Sequence, residues 1–187
     1  MPAPRSAEDL LQTELKEIYS AERQLTRALP KLQKLVASER LREMLNRRRD
    51  QGTELLGRLD EIFEEMEFRK GRVKNAAAEG LIEDMNQHVE EIDDEKLLDP
   101  VLLASLQKVE HYCIAAWGTA AAMGRLMNQQ SVVKTMERVL DEGKRYDEEM
   151  TELAEQEVNP AMLANGENQE QEEEDKQPTK APRRKSQ

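Results

Sequence analysis

"QKVEHYCIAAWGTAAAMG", Gln107 to Gly124, is small and apolar almost throughout, yet Glu110 and His111 stand where its apolar run begins. A carboxylate carried into a helical core costs about several kcal/mol of desolvation unless it is paired or bound to metal. How Glu110 is satisfied therefore separates a metal-binding bundle, a bundle that has lost its metal, and a plain one. The stripe through this stretch is Leu103, Leu106, Glu110, Cys113, Trp117, Ala120, Gly124 and Met127. Its steps of three and four define one helix face. They predict a helix from Pro100 to Met127, with Asp99 as N-cap and Pro100 in the first turn.

Three further stripes follow the same rule. The first helix, Ala7 to Ala37, is capped by Ser6 and carries Leu11, Leu15, Ile18, Glu22, Leu25, Leu29, Leu32 and Val36, with a kink expected at Pro30. The second, Glu39 to Phe68, carries Leu41, Leu45, Arg48, Gly52, Leu55, Leu59, Ile62 and Met66. The last, Ser131 to Glu157, carries Val132, Met136, Val139, Gly143, Tyr146, Met150 and Leu153, flanked by Asp147. A long polar connector between the second and third helices predicts a crossover with a short helix from Asn75 to Glu91. The fold expected is all-α, a ferritin-like antiparallel four-helix bundle with a short fifth helix in its crossover. Residues 1–160 form the bundle in this reading. Residues 161–187, with an acidic run "EQEEED" and a basic end "KAPRRKSQ", read as a disordered charged tail.

Composition agrees with helices: 36% of the 187 residues are charged and 3% are aromatic. The net charge of −11 argues against a nucleic-acid partner. No stretch has the apolar length to span a bilayer, and the start lacks a signal-peptide core. The single cysteine excludes an internal disulfide framework and fits a cytoplasmic location.

Each stripe is interrupted near its middle: by Glu22, by Arg48 with Gly52, by Glu110 with Cys113, and by Gly143 with Asp147. In an antiparallel bundle these positions can meet in one polar layer. Convergent carboxylates are how a di-iron bundle builds its site, but that pattern also wants Glu-x-x-His on two helices. The chain has none, and its two histidines, His88 and His111, lie off the stripes.

The segments "YSAERQLTRALPKL", "AAAEGLIED" and "KVEHYCIAAWGT" resemble the YciE/YciF family of ferritin-like bacterial stress proteins. The resemblance implies a ferritin-like bundle, usually dimeric, with a di-metal site. It places Glu22, Glu110 and Asp147 at acidic metal positions. It also marks departures: Gln51 and Leu55 stand where the family carries Glu and then His or Gln, and Cys113 and Gly143 stand where it carries Glu. Glu22, Glu110 and Asp147 are too few for two hard cations. The site thus reads as degenerate, vestigial or weak, with iron or another divalent metal below full occupancy. Restoring acids or His at positions 51, 55, 113 and 143 is expected to raise iron uptake.

The leading functional expectation is a non-catalytic, stress-associated bundle protein. The alternatives are a di-iron oxidase or iron-handling protein with unusual ligands, of ferroxidase or peroxidase type, and an adapter that recruits a protein partner through its tail. A homodimer is expected, through the small residues Ala116, Ala120 and Gly124. Arg48 is expected to compensate the layer's charge by pairing with Glu22, Glu110 or both, which would depress the pKa of the paired acids.

Overall fold

The computed structural model describes residues 4–71 and 73–162. Five helices follow in order: α1 (Ala7–Leu32), α2 (Glu39–Glu65), α3 (Ala76–Glu91), α4 (Glu95–Leu126) and α5 (Gln130–Leu153). A π-helical turn, Ala154–Val158, continues α5. α1 packs on α2 and α4, and α5 packs on α4 and less closely on α2. α3 crosses outside, against α4 and α1, and returns the chain to the end where α2 began. One long crossover in a four-helix bundle is the ferritin-like connectivity.

The stripes are the reason for this arrangement. Every expected stripe residue is buried except Met66 and Met127, which are half-buried near the ends of α2 and α4. Leu and Met side chains from all five helices form one continuous core, and burying each Leu or Met stabilises the fold by about 1.5–3 kcal/mol.

Some helix ends differ from expectation, each for a local reason, while the starts of α1 and α2 and both ends of α3 fall where they were expected. α1 stops at Leu32, two residues beyond Pro30, rather than kinking and running on to Ala37. Pro30 has no N–H for the Thr26 carbonyl, and the chain then tightens through bonds from Lys34 N–H to the Lys31 carbonyl and from Leu35 N–H to the Leu32 carbonyl. α2 ends at Glu65 because Glu67 adopts φ 54°. Phe68 N–H then reaches the Phe63 carbonyl and Glu67 N–H the Glu64 carbonyl, a Schellman closure. Asn128, φ 57°, closes α4 in the same way, onto Gly124 and Arg125.

The largest correction concerns Asp99. α4 starts at Glu95, capped by Asp94, whose Oδ1 accepts from Lys96 N–H at 3.0 Å. Pro100 therefore lies inside the helix. Asp99 instead reaches across to the start of α2, where its two oxygens accept from Ala37 N–H (3.0 Å) and Ser38 N–H (2.7 Å).

The expected bundle boundary at residue 160 falls within the described helix end. Residues 163–187, most of the segment read as a tail, lie outside the described residues. Among the described residues, no helix is long and apolar enough to cross a membrane.

Candidate functional site

α1, α2 and α4 each bring one charged side chain to the same height of the core. Glu22, Arg48 and Glu110 are all at most 2% exposed. They share one face with apolar neighbours because each replaces a Leu-type position in a three-four stripe. Arg48 donates from Nη1 to Glu22 Oε2 and from Nη2 to Glu22 Oε1, both at 3.0 Å. This is a two-pronged guanidinium–carboxylate pair. Its Nε donates to Glu110 Oε2 at 2.7 Å, and Nη2 lies 3.6 Å from Cys113 Sγ. The Arg48 Cζ lies over the Trp117 ring, 5.4 Å from its centroid, a cation–π geometry.

Two glycines make room for this cluster. A Cβ on Gly52 would stand 2.8 Å from Thr26 Oγ1, 3.0 Å from Glu22 Oε2 and 3.2 Å from Arg48 Nη1. A Cβ on Gly143 would stand 2.4 Å from Trp117 Cζ3 and 2.9 Å from Glu110 Oε1. Gly52 thus admits the ion pair, and Gly143 admits the indole that covers it.

The layer holds one cation against two carboxylates, and the second is less well served. Glu22 receives two N–H bonds, whereas Glu110 receives one and its Oε1 has no partner although it is buried. Burial pushes the Glu110 carboxyl up, against the opposing pull of Arg48, with Glu22 and Asp147 adding repulsion. The expected depression by Arg48 is therefore overturned at Glu110: one guanidinium shared between two acids does not offset its desolvation. Burial by itself would lower the Arg48 pKa, but Glu110 and Glu22 outweigh it and hold the guanidinium firmly protonated. The Cys113 thiol is pushed well up, first by burial and then by Glu22. It packs as a buried core residue.

The other expected site residues stand to the side. Asp147 is half-buried and faces His111, its Oδ2 3.1 Å from His111 Nε2, with His111 itself largely exposed. Gln51 is half-buried at the α2–α5 seam, where its Nε2 donates to Glu142 Oε2 at 3.3 Å. His88 lies on α3, 3.6 Å from Asp84.

A di-metal pair does not fit these residues. Both oxygens of Glu22 and one of Glu110 are taken by the guanidinium, which occupies the charge centre of the layer. The indole of Trp117 lies where a side chain at position 143 would start. Among the described residues, no group of three His, Cys, Asp or Glu could hold a metal ion. Of the positions 51, 55, 113 and 143 named for restored ligands, 143 has no room while Trp117 stays in place, since a Cβ there would stand 2.4 Å from Trp117 Cζ3. Trp117 was legible in the sequence only as a core residue. The signal for its part is a large aromatic on one stripe at the height of a glycine on the next.

An antiparallel bundle with one long crossover and a polar layer at mid-height defines a ferritin-like protein, here with its own side chain as the internal cation. The chain belongs to the DUF892 family, a domain of unknown function, which matches residues 6–163. It is 35% identical over 156 residues to protein YciF of Escherichia coli (strain K12), covering 83% of this chain and 94% of that protein. The crystal structure of that E. coli stress protein superposes with a TM-score of 0.79, over 83% of this chain and 99% of the other. YcfI of Rhodopseudomonas palustris, proposed as a structural protein, is 31% identical with a TM-score of 0.75, over 79% and 94% of the two chains.

Proposed function

We propose that this protein is a non-catalytic, stress-associated structural or interaction protein whose ferritin-like core has exchanged a metal layer for a guanidinium. The observation that carries this reading is the Arg48 fork onto Glu22 with its third bond to Glu110. A fixed cation there does the electrostatic work of a metal without any redox capacity. The likeness to the stress protein YciF and to YcfI supports the stress and structural parts of the proposal. Cytoplasmic location is part of it, on the lone buried cysteine.

The second reading, an iron-handling enzyme with unusual ligands, draws on two buried oxygens without partners, Glu110 Oε1 and Asp147 Oδ1. Metal analysis after aerobic purification, followed by a ferrous-oxidation assay, tests both. The expected result is sub-stoichiometric iron and oxidation no faster than in buffer. Stoichiometric iron released only by strong chelation would favour the second reading. The adapter role concerns residues outside those described and is tested by removing residues 165–187 and comparing captured partners.

A further inference from the structure

On an acidic chain, one concave surface is basic. A groove of about 430 Å³ lies between the outer face of α1 and the connector that leads into α3. Lys16, Arg23 and Arg27 project from α1, and Lys70 and Lys74 from the connector; among the described residues no carboxylate lines it. Lys16, Arg23 and Arg27 share a helix face because they are spaced by seven and four. Within the described residues, Lys70 pairs with Asp60 and Lys74 with Glu79, while the three α1 cations have no carboxylate partner there. The groove keeps a surplus of positive charge after its ion pairs are counted.

Its walls are held in place. Asn75 N–H donates to Ser20 Oγ at 3.0 Å and Asn75 Nδ2 to the Glu17 carbonyl at 3.2 Å, while Gln24 Nε2 donates to the Asn75 carbonyl at 3.1 Å. Gly71, φ 63°, turns the connector, and Lys70 Nζ lies 5.6 Å from the Tyr19 ring centroid. The backbone segments that carry the cations are therefore held side by side, which limits the ordering that an arriving anion must impose.

We propose that this groove binds small phosphate-bearing anions, a function separate from the buried layer. Phosphate fits because lysine and arginine donors converge on oxygens that accept several charge-assisted bonds each. The ligand is small because the rest of the surface carries the excess negative charge, −11 overall, and would repel a long polyanion beyond the groove. Its volume is within the range of small-ligand sites.

Isothermal titration of the full chain at low salt tests this, with sodium tripolyphosphate, ATP and adenosine as separate probes. Tripolyphosphate and ATP are expected to bind and adenosine not to. Equal affinity for the first two marks the phosphates alone as the ligand, and a tighter ATP marks a nucleotide. The double variant Arg23→Gln/Arg27→Gln, at exposed positions, should lose about tenfold or more in affinity. Lys144→Gln, an exposed cation on α5 outside the groove, should leave it within about twofold. The proposal is overturned if neither phosphate probe binds, if Lys144→Gln loses as much as the double variant, or if only anionic vesicles or single-stranded oligonucleotides bind.

Discussion

Arg48 is an arginine on a stripe whose other members are apolar, between Leu45 and Gly52. Its protonation survives burial because two carboxylates face it. Removing one member of such a group leaves an unpaired buried charge, typically a loss of about 3–5 kcal/mol. Arg48→Met should lose stability of that order in denaturant melts at neutral pH. The loss should shrink on acidification, as the abandoned Glu110 takes up a proton. A loss below about 1 kcal/mol would be that of an exposed pair and would contradict the buried geometry. Glu110 gives a separate prediction. Its folded pKa lies above the unfolded value because burial outweighs Arg48. Its contribution is therefore fully present below the unfolded pKa and is lost as pH rises through the folded one. Relative to Glu110→Gln, which cannot titrate, the parent should gain stability as pH falls from neutral towards about 4.5. A difference between the two proteins that stays flat across that window would show an unraised carboxyl. The candidate residues of this layer were legible as interruptions of apolar stripes. The sharing ratio of one guanidinium to two acids was not, because it depends on which oxygen each N–H reaches.

Helices were legible from periodicity, and so was an end marked by a side-chain cap, as at Ser6; ends set by the backbone alone were not. The three-four spacing carries the burial of a whole face, so Leu11 through Val36 or Val132 through Leu153 identify themselves. Ends depend on one or two backbone bonds. Glu67 closes α2 in a left-handed conformation without glycine, so no residue type announced that stop, whereas α4 ends at Leu126, one residue from the expected Met127. Asp99-Pro100 carried the letters of a helix start, yet Asp99 caps a different helix. That cap is testable. Asp99→Ala removes acceptors for two N–H groups ahead of α2, and losing a cap typically costs about 1–2 kcal/mol. Thermal melts should show a loss of this size, with faster amide exchange at Ala37 and Ser38. Unchanged exchange at both amides would mean that Ser38, which caps Leu41 N–H through its own hydroxyl, suffices alone.

At the scale of the whole molecule, the small residues of α4 turn inward. Ala120 is fully buried, and a Cβ on Gly124 would stand 3.1 Å from Val132 Cγ1 and 3.2 Å from Val133 Cγ2 of α5. Of the residues expected to admit a second copy, Gly124 admits the chain's own last helix, while Ala116 stays half-buried. The homodimer thus stands as a proposal without that support. Light scattering after size exclusion decides it: a mass near 21.5 kDa at micromolar concentration would show a monomer, and twice that mass the dimer. What the sequence by itself determined is the number of helices, the face each one buries, and the presence of polar residues at mid-height. These follow from spacing along one chain segment, and hydrophobic burial acts on that spacing whatever the partner. Only the tertiary structure decided that Arg48 takes both acids, that Asp147 turns to His111, and that Trp117 fills the space left by Gly143. Those outcomes are set by ångström-scale distances between side chains from different helices. Charge pairing and steric exclusion change sign over such distances, and no spacing within a single helix encodes them.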